Sequence, residues 1–143
     1  MTGACLICER VALAEQGRNP HLVAELEHSF FVVGDHQFHE DSLVLLKRHV
    51  REPFELPPHV QGEHFREVMR AARAVDRTFR PWKVNYSCYG NAEPHVHWHI
   101  VPRYEGDPDL RSHPWRQAER FAEKTIAADE ARAIAARIRD NFA

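Results

Sequence analysis

Residues 95–101 read His-Val-His-Trp-His-Ile-Val, with histidine and apolar positions in strict alternation until the final Val101. Successive side chains of a strand point to opposite faces. The run therefore predicts a strand with His95, His97 and His99 on one face and Val96, Trp98 and Ile100 on the core side. At a rise of roughly 3.3 Å per residue, neighbouring imidazoles stand about 6.6 Å apart. That spacing lines one groove of substrate size, and the three rings cannot share a metal ion unless the strand bends. The chain has eleven histidines in 143 residues, and chance alone then yields the spacing about 0.06 times. The alternation adds to this argument, because three titratable rings on one strand face are expensive to bury and serve no packing purpose.

Working outward, residues 82–89 alternate Trp82, Val84, Tyr86 and Cys88 against Lys83, Asn85, Ser87 and Tyr89, which predicts a strand. Gly90-Asn91 marks a turn into the next strand, expected over 94–102. Leu43 to Leu46 reads as a buried strand, and 22–33 as two short strands or a bent hairpin around Glu27-His28. Between these lies a helical stripe of Phe65, Val68, Met69, Ala72, Val75 and Phe79, opened by Pro57-Pro58 and closed by Pro81; it reads as core. Residues 107–114 read as a loop, and 117–127 and 129–141 as one or two amphipathic helices with Ile126, Ile134 and Ile138 inward. The sum is an α+β fold, an antiparallel sheet packed against one long helix with a helical tail.

No repeat, low-complexity tract or linker divides the chain, so a single domain is expected over 1–143, with its core at about 5–104 and a helical extension at 105–143. The formal charge is −2, from 19 basic and 21 acidic residues. Such a balance gives no global pull on a polyanion and argues against a nucleic-acid polymer as partner. No apolar run is long enough to span a bilayer, and Met1 is not followed by a signal-like segment. A soluble, cytoplasmic protein is expected. Cys5 and Cys8, two of three cysteines, form half of a tetrahedral zinc site, and in a chain without secretory features metal or free thiols are favoured over disulfides. Cys88, inside a strand, reads as core.

The strings PHVHWHIVPRY at 94–104, NYSCYGN at 85–91 and LVLLKRHV at 43–50 resemble the histidine-triad family, most closely its bacterial diadenosine-tetraphosphate-hydrolase-like branch. The resemblance covers about residues 5–104. It implies that His97 is a nucleophile toward the α-phosphorus of a nucleotide, that His99 contacts the phosphate and that His95 organises the site. Neutral imidazole suits the first role, and a cationic neighbour suits the second. By the same resemblance Asn91 donates to phosphate, Asp35 holds the ribose hydroxyls, and the protein is a homodimer acting on an adenine-containing small-molecule nucleotide. The implied activity is hydrolysis of nucleoside polyphosphates or nucleotide conjugates, such as dinucleoside polyphosphates, through a nucleotidyl-histidine. Arg103, at the end of the triad strand, is a candidate for a distal phosphate, against the alternative of a solvated or ion-paired side chain.

In zinc-bearing members of the family the further ligands match His49 and His95, which implies a structural Cys5, Cys8, His49, His95 zinc site. The sequence departs from the family at Ala92, where a hydroxyl residue is usual. It departs again at Glu40-Asp41, which replaces the usual Pro-Gly-His and leaves the family's fourth histidine unassigned. Trp115 is open between covering a base, covering a dimer seam and anchoring the tail. Three other functions stand beside hydrolysis: a nucleotidyltransferase or phosphorylase, a nucleotide-binding protein with weak turnover, and a cupin-like metalloenzyme. The last is disfavoured by the long helix.

Overall fold

The computed structural model describes residues 4–143; the start at Met1, on which the signal-segment reading bears, lies outside the described residues. Five strands form one antiparallel sheet: β1 (Leu22–Glu25), β2 (Ser29–Val33), β3 (Ser42–Leu46), β4 (Lys83–Ser87) and β5 (His97–Arg103). Their spatial order is β1-β2-β3-β5-β4. The histidine strand β5 is thus interior, with Leu45 opposite His97, Leu43 opposite His99 and, on its other side, Ser87 also opposite His99. Directly opposed residues share a face. His97 and His99 therefore stand on the face that carries Leu43, Leu45 and Ser87.

The other face is closed by helices. In α2 (Pro58–Phe79) a proline occupies the first turn, where a missing N–H costs nothing, and Arg80 ends the helix in the left-handed region with φ 51° before Pro81. The helix packs Val68, Ala71, Ala72, Ala74 and Val75 against Phe31, Val33, Val44 and Ile100 of the sheet. The tail joins the same core: α3 (Ala128–Arg139) adds Ala135 and Ile138, with Ile126 and Ile134 at its margin. Arg139 ties it down by donating to the carbonyls of Val23 and Leu22 at 2.8 and 2.7 Å.

Four details differ from expectation. Phe65 is half exposed, and so is Trp82, while Tyr86 is 43% exposed. Phe65 lies outside the buried stripe of α2, and β4 is an edge strand whose outer side the helices do not cover. The histidine strand begins at His97, two residues after His95, and ends at Arg103 instead of residue 102. Pro94 has no N–H for the ladder, and Val96 instead bonds the Val50 carbonyl and the Leu46 amide. Residues 117–124 belong to a 3-10 segment, Pro114–Lys124, instead of an α-helix.

The fourth is an additional helix, α1 (Leu6–Glu15), which the sequence reading did not assign. It lays Ile7, Val11 and Ala14 on Phe30, Val32 and Leu45, so it covers the β1–β3 half of the histidine-bearing face. Gly17, at φ 69°, ends it by supplying the left-handed turn that side chains disfavour. The β5–β4 half of that face is met instead by residues 110–115, across an open groove. No helix among the described residues is long and apolar enough to cross a membrane.

Candidate active site and metal cluster

His97, on β5, is buried and keeps 8% exposure. Its Nδ1–H donates to the His95 carbonyl oxygen at 2.6 Å. A carbonyl can only accept, so this bond fixes the proton on Nδ1 and leaves the Nε2 lone pair free in the neutral ring. Nε2 has no protein partner among the described residues. Burial holds the ring's pKa below the usual histidine value, against the opposing effect of the carbonyl bond.

His99 stands beside it, the two ring centroids 5.4 Å apart. Its Nδ1–H donates to Asp41 Oδ2 at 2.9 Å. Both rings line a cavity of about 180 Å³ between α1 and the sheet. One wall is apolar, made of Ile7, Val32, Leu43 and Leu45, and the polar contributions come from Arg10, Asp35, Asp41 and Glu93. A flat apolar wall with few polar groups is the usual make-up of a small-molecule site. A larger open groove, about 730 Å³, runs along β4 and the tail and meets this site at Trp115.

Asp35 comes into the cavity, with Arg10 of α1 donating to both carboxylate oxygens at 2.7 and 2.8 Å. That pairing, chiefly, holds its carboxyl below the usual carboxylate range. Asn91 is exposed on its turn and does not line the cavity. Arg103 requires a correction: it is 1% exposed and, at the far end of β5, its guanidinium is bound to protein groups instead of reaching the cavity. It donates to Asp107 Oδ2 at 3.1 Å, Asn85 Oδ1 at 2.9 Å and the Ser112 carbonyl at 2.8 Å. Its remaining nitrogen lies 3.4 Å from the Pro108 and Asp109 carbonyls, so all five donors face protein acceptors and none is left for a distal phosphate; Arg103 is a clamp for residues 107–112. Trp115 does reach the site, its ring edge-on to His99 with centroids 4.7 Å apart.

The expectation that all three imidazoles share a strand face fails at His95. Lying before β5, it is fully buried and turned toward the N-terminal cysteines. Its Nε2–H donates to the Leu46 carbonyl at 2.6 Å, which leaves Nδ1 as the ring's free lone pair. Nδ1 lies 3.5 Å from Cys5 Sγ, 3.5 Å from Cys8 Sγ and 3.0 Å from His49 Nδ1. The four donor atoms of Cys5, Cys8, His49 and His95 lie within 4.8 Å of one another, a group able to hold a metal ion. Burial, together with Cys5 alongside, pushes the Cys8 thiol up to about 11. A bound cation would reverse that effect on Cys8 by stabilising its thiolate. Cys88 stays outside this group and packs beside Leu46, Val50 and Val96.

Three site residues escaped the sequence reading. Arg10 and Glu93 gave no pattern to find. Asp41 did: it stands at the position where the resemblance departs from the family, immediately before a buried strand.

The HIT domain family model matches residues 21–106. The protein hit of Bacillus subtilis strain 168 is 29% identical over 114 residues, which cover 72% of this chain and 74% of that protein. A histidine triad protein of Sinorhizobium meliloti superposes with a TM-score of 0.74 at 24% identity, over 85% of this chain and 88% of its own. One from Marinobacter aquaeolei gives 0.75 at 19% identity, over 98% and 97%. A Zn-bound histidine triad family protein of Mycobacterium smegmatis gives 0.61 at 24% identity, over 96% of each chain. At these identities the solved structures establish a shared fold.

Proposed function

The chain belongs to the HIT domain family, and from that premise we propose that it hydrolyses nucleoside polyphosphates or nucleotide conjugates at the α-phosphorus through a nucleotidyl-His97 intermediate. The observation that carries the reading is the hydrogen bond from His97 Nδ1 to the His95 carbonyl. It presents Nε2 as an unprotonated nucleophile toward the cavity. In the first step the Nε2–P bond forms as the bond from phosphorus to the leaving group breaks, and the leaving atom, oxygen in a polyphosphate or nitrogen in a phosphoramidate, departs with the electron pair. In the second, water attacks the same phosphorus, His97 leaves with its electron pair, and the nucleotide is released with the water's oxygen.

His99, beside the nucleophile, donates to the non-bridging oxygens as charge develops there. The apolar wall of Ile7, Val32, Leu43 and Leu45 fits a base, and adenine is the base we assign. Asp35 is the ribose ligand, its oxygens shared with Arg10. Asn91 is exposed and lines no part of the cavity, so it reaches phosphate only if its turn folds inward when substrate binds. Ala92 supplies no hydroxyl to the leaving group, which favours turnover limited by departure of that group and keeps a weakly active binding protein as the second reading. A transferase or phosphorylase uses the same histidines and differs only in the acceptor.

The four-donor group fits zinc: two thiolates and two imidazoles are the ligand set of closed structural sites, and His95 is already oriented by Leu46. Bound there, the ion supplies a crosslink between the start of α1 and the entry to β5, and no open coordination position. Such thiols call for a reducing compartment, and we assign the protein to the cytoplasm. The exposed Trp82, Tyr86 and Tyr89 at the β4 edge support a homodimer that pairs this strand with its copy.

The test is release of AMP from diadenosine tetraphosphate and from an adenosine phosphoramidate. The wild type turns over at least one of them, and His97→Ala loses about 10³-fold or more in kcat. Nucleotide binding without turnover on either would overturn hydrolysis in favour of the binding reading.

A further inference from the structure

Asp41 closes the loop that leads into β3, and only 3% of its side chain is exposed. A buried carboxylate is costly unless its surroundings compensate. One oxygen, Oδ2, accepts from His99 Nδ1 at 2.9 Å. The other, Oδ1, is buried with no hydrogen-bond partner among the described residues. His99 therefore makes the carboxylate's one hydrogen bond among those residues.

The loop is shaped around this residue. The Gly34 amide donates to the Asp41 carbonyl at 2.8 Å, and Gln37 Nε2 donates to the same oxygen at 2.9 Å. A Cβ on Gly34 would stand 2.9 Å from that carbonyl oxygen, too close for the backbone to stay, and 3.1 Å from Oδ2, a tight contact. From the other side Trp115 meets the His99 ring at 85° with centroids 4.7 Å apart. His99 is thus held at one ring nitrogen and against one edge. Its Nε2, with no protein partner among the described residues, is left for the cavity it shares with His97.

We propose that Asp41 is a positioning residue of the active site: it holds one proton of His99 on Nδ1, aims Nε2 at the phosphate, and balances the charge of the ring when a second proton, taken up from solvent, sits on Nε2 and is donated to a non-bridging oxygen. The logic is that of a buried carboxylate behind a working imidazole, which fixes the tautomer and stabilises the imidazolium. The catalytic half rests on the hydrolase reading above; the tautomer half does not. Asp41 thereby serves where the family resemblance led one to look for a further histidine, and it does so with a full negative charge.

Two readouts test it on the full-length protein. The first is nitrogen-15 NMR of the histidine rings. Neutral His99 carries its proton on Nδ1 in the wild type and in Asp41→Asn, whose amide oxygen still accepts, and shifts toward Nε2 in Asp41→Ala. The second is steady-state kinetics on diadenosine tetraphosphate. Asp41→Asn lowers kcat about 10- to 100-fold with KM changed less than about threefold, and Asp41→Ala falls further. A wild-type His99 protonated on Nε2, or both variants retaining the wild-type kcat, would overturn the proposal. If the wild type turns over no nucleotide, the hydrolase reading fails while the NMR result still decides the tautomer. If Asp41→Ala does not fold, the split between kcat and KM in Asp41→Asn decides.

Discussion

His95 stands four residues before His99, and the two rings have different partners. His95 is fully buried ahead of β5, its Nε2 bound to the Leu46 carbonyl and its Nδ1 among two cysteines and His49. His99 lies within β5, part-exposed, its Nδ1 on Asp41 and its Nε2 at the cavity. One motif therefore feeds both the four-donor group and the cavity, with His97 between them donating its Nδ1–H to the His95 carbonyl. Spacing delivers the three rings to one neighbourhood, and the second partner of each ring decides its chemistry. A histidine bonded to a carbonyl offers a lone pair to a metal or a phosphorus; one bonded to a carboxylate is suited to donating.

The comparison is broken most severely at the cysteine end. Cys8→Ser removes one thiolate from the four-donor group, and the bound zinc, measured by elemental analysis, falls from about one per chain to well below it. A structural ion supplies folding free energy directly, so the expected loss of stability is several kcal/mol, on the order of 3–5. Stripping the wild type with a chelator produces the same loss of melting temperature. Equal melting temperatures with and without chelator would deny the ion a structural role.

Arg103 sharpens the contrast from the far end of β5. As a buried clamp, Arg103→Ala takes from part-buried Asp107 its ion pair and from residues 107–112 their anchor, which costs about 2–3 kcal/mol in chemical denaturation, with KM for nucleotide unchanged. A phosphate ligand gives the opposite pattern, a raised KM in a protein of wild-type stability.

The smallest effect is in pH. His36 and His39, packed against Phe121 of the tail, and His95 and His97 all have pKa values lowered by burial from 6.5. Their stability contribution is full above the unfolded value. As pH drops below it the unfolded chain takes up protons that the folded chain resists, and stability declines toward the folded values. Thermal unfolding is expected to drop by about 3–5 °C from pH 7.5 to 5.5. Replacing His36 with Phe, which keeps the stack on Phe121, removes part of that slope; an unchanged slope would take the tail out of the account.

The sheet and the long helix were legible because each rests on periodicity, and the same alternation singled out His97 as a candidate whose role the family resemblance implied. Alternation marks β4 and β5, and a stripe of small apolar residues marks α2. Helix α1 was not legible, since three inward positions, Ile7, Val11 and Ala14, sit in a segment whose cysteines drew the reading toward metal. The turn of His95 out of the strand face was equally hidden. It follows from Pro94 and from bonds to Val50 and Leu46, which are distant in sequence. Arg103 and Asp41 exchange roles for a related reason. An arginine at a strand end and an aspartate before a strand look alike until the loops that receive them are known. The resemblance to the histidine-triad family supplied His49 and His95 as partners of Cys5 and Cys8, which spacing alone could not pair.

The most direct measurement is detection of the covalent intermediate itself. Wild-type protein mixed with diadenosine tetraphosphate, quenched in alkali to preserve the acid-labile phosphorus–nitrogen bond, is digested and mapped by mass spectrometry. The account predicts an adenylyl group on the peptide that contains His97, absent from His97→Ala. Turnover with no adduct in the wild type, or an adduct that persists on His95 or His99 in His97→Ala, would contradict it.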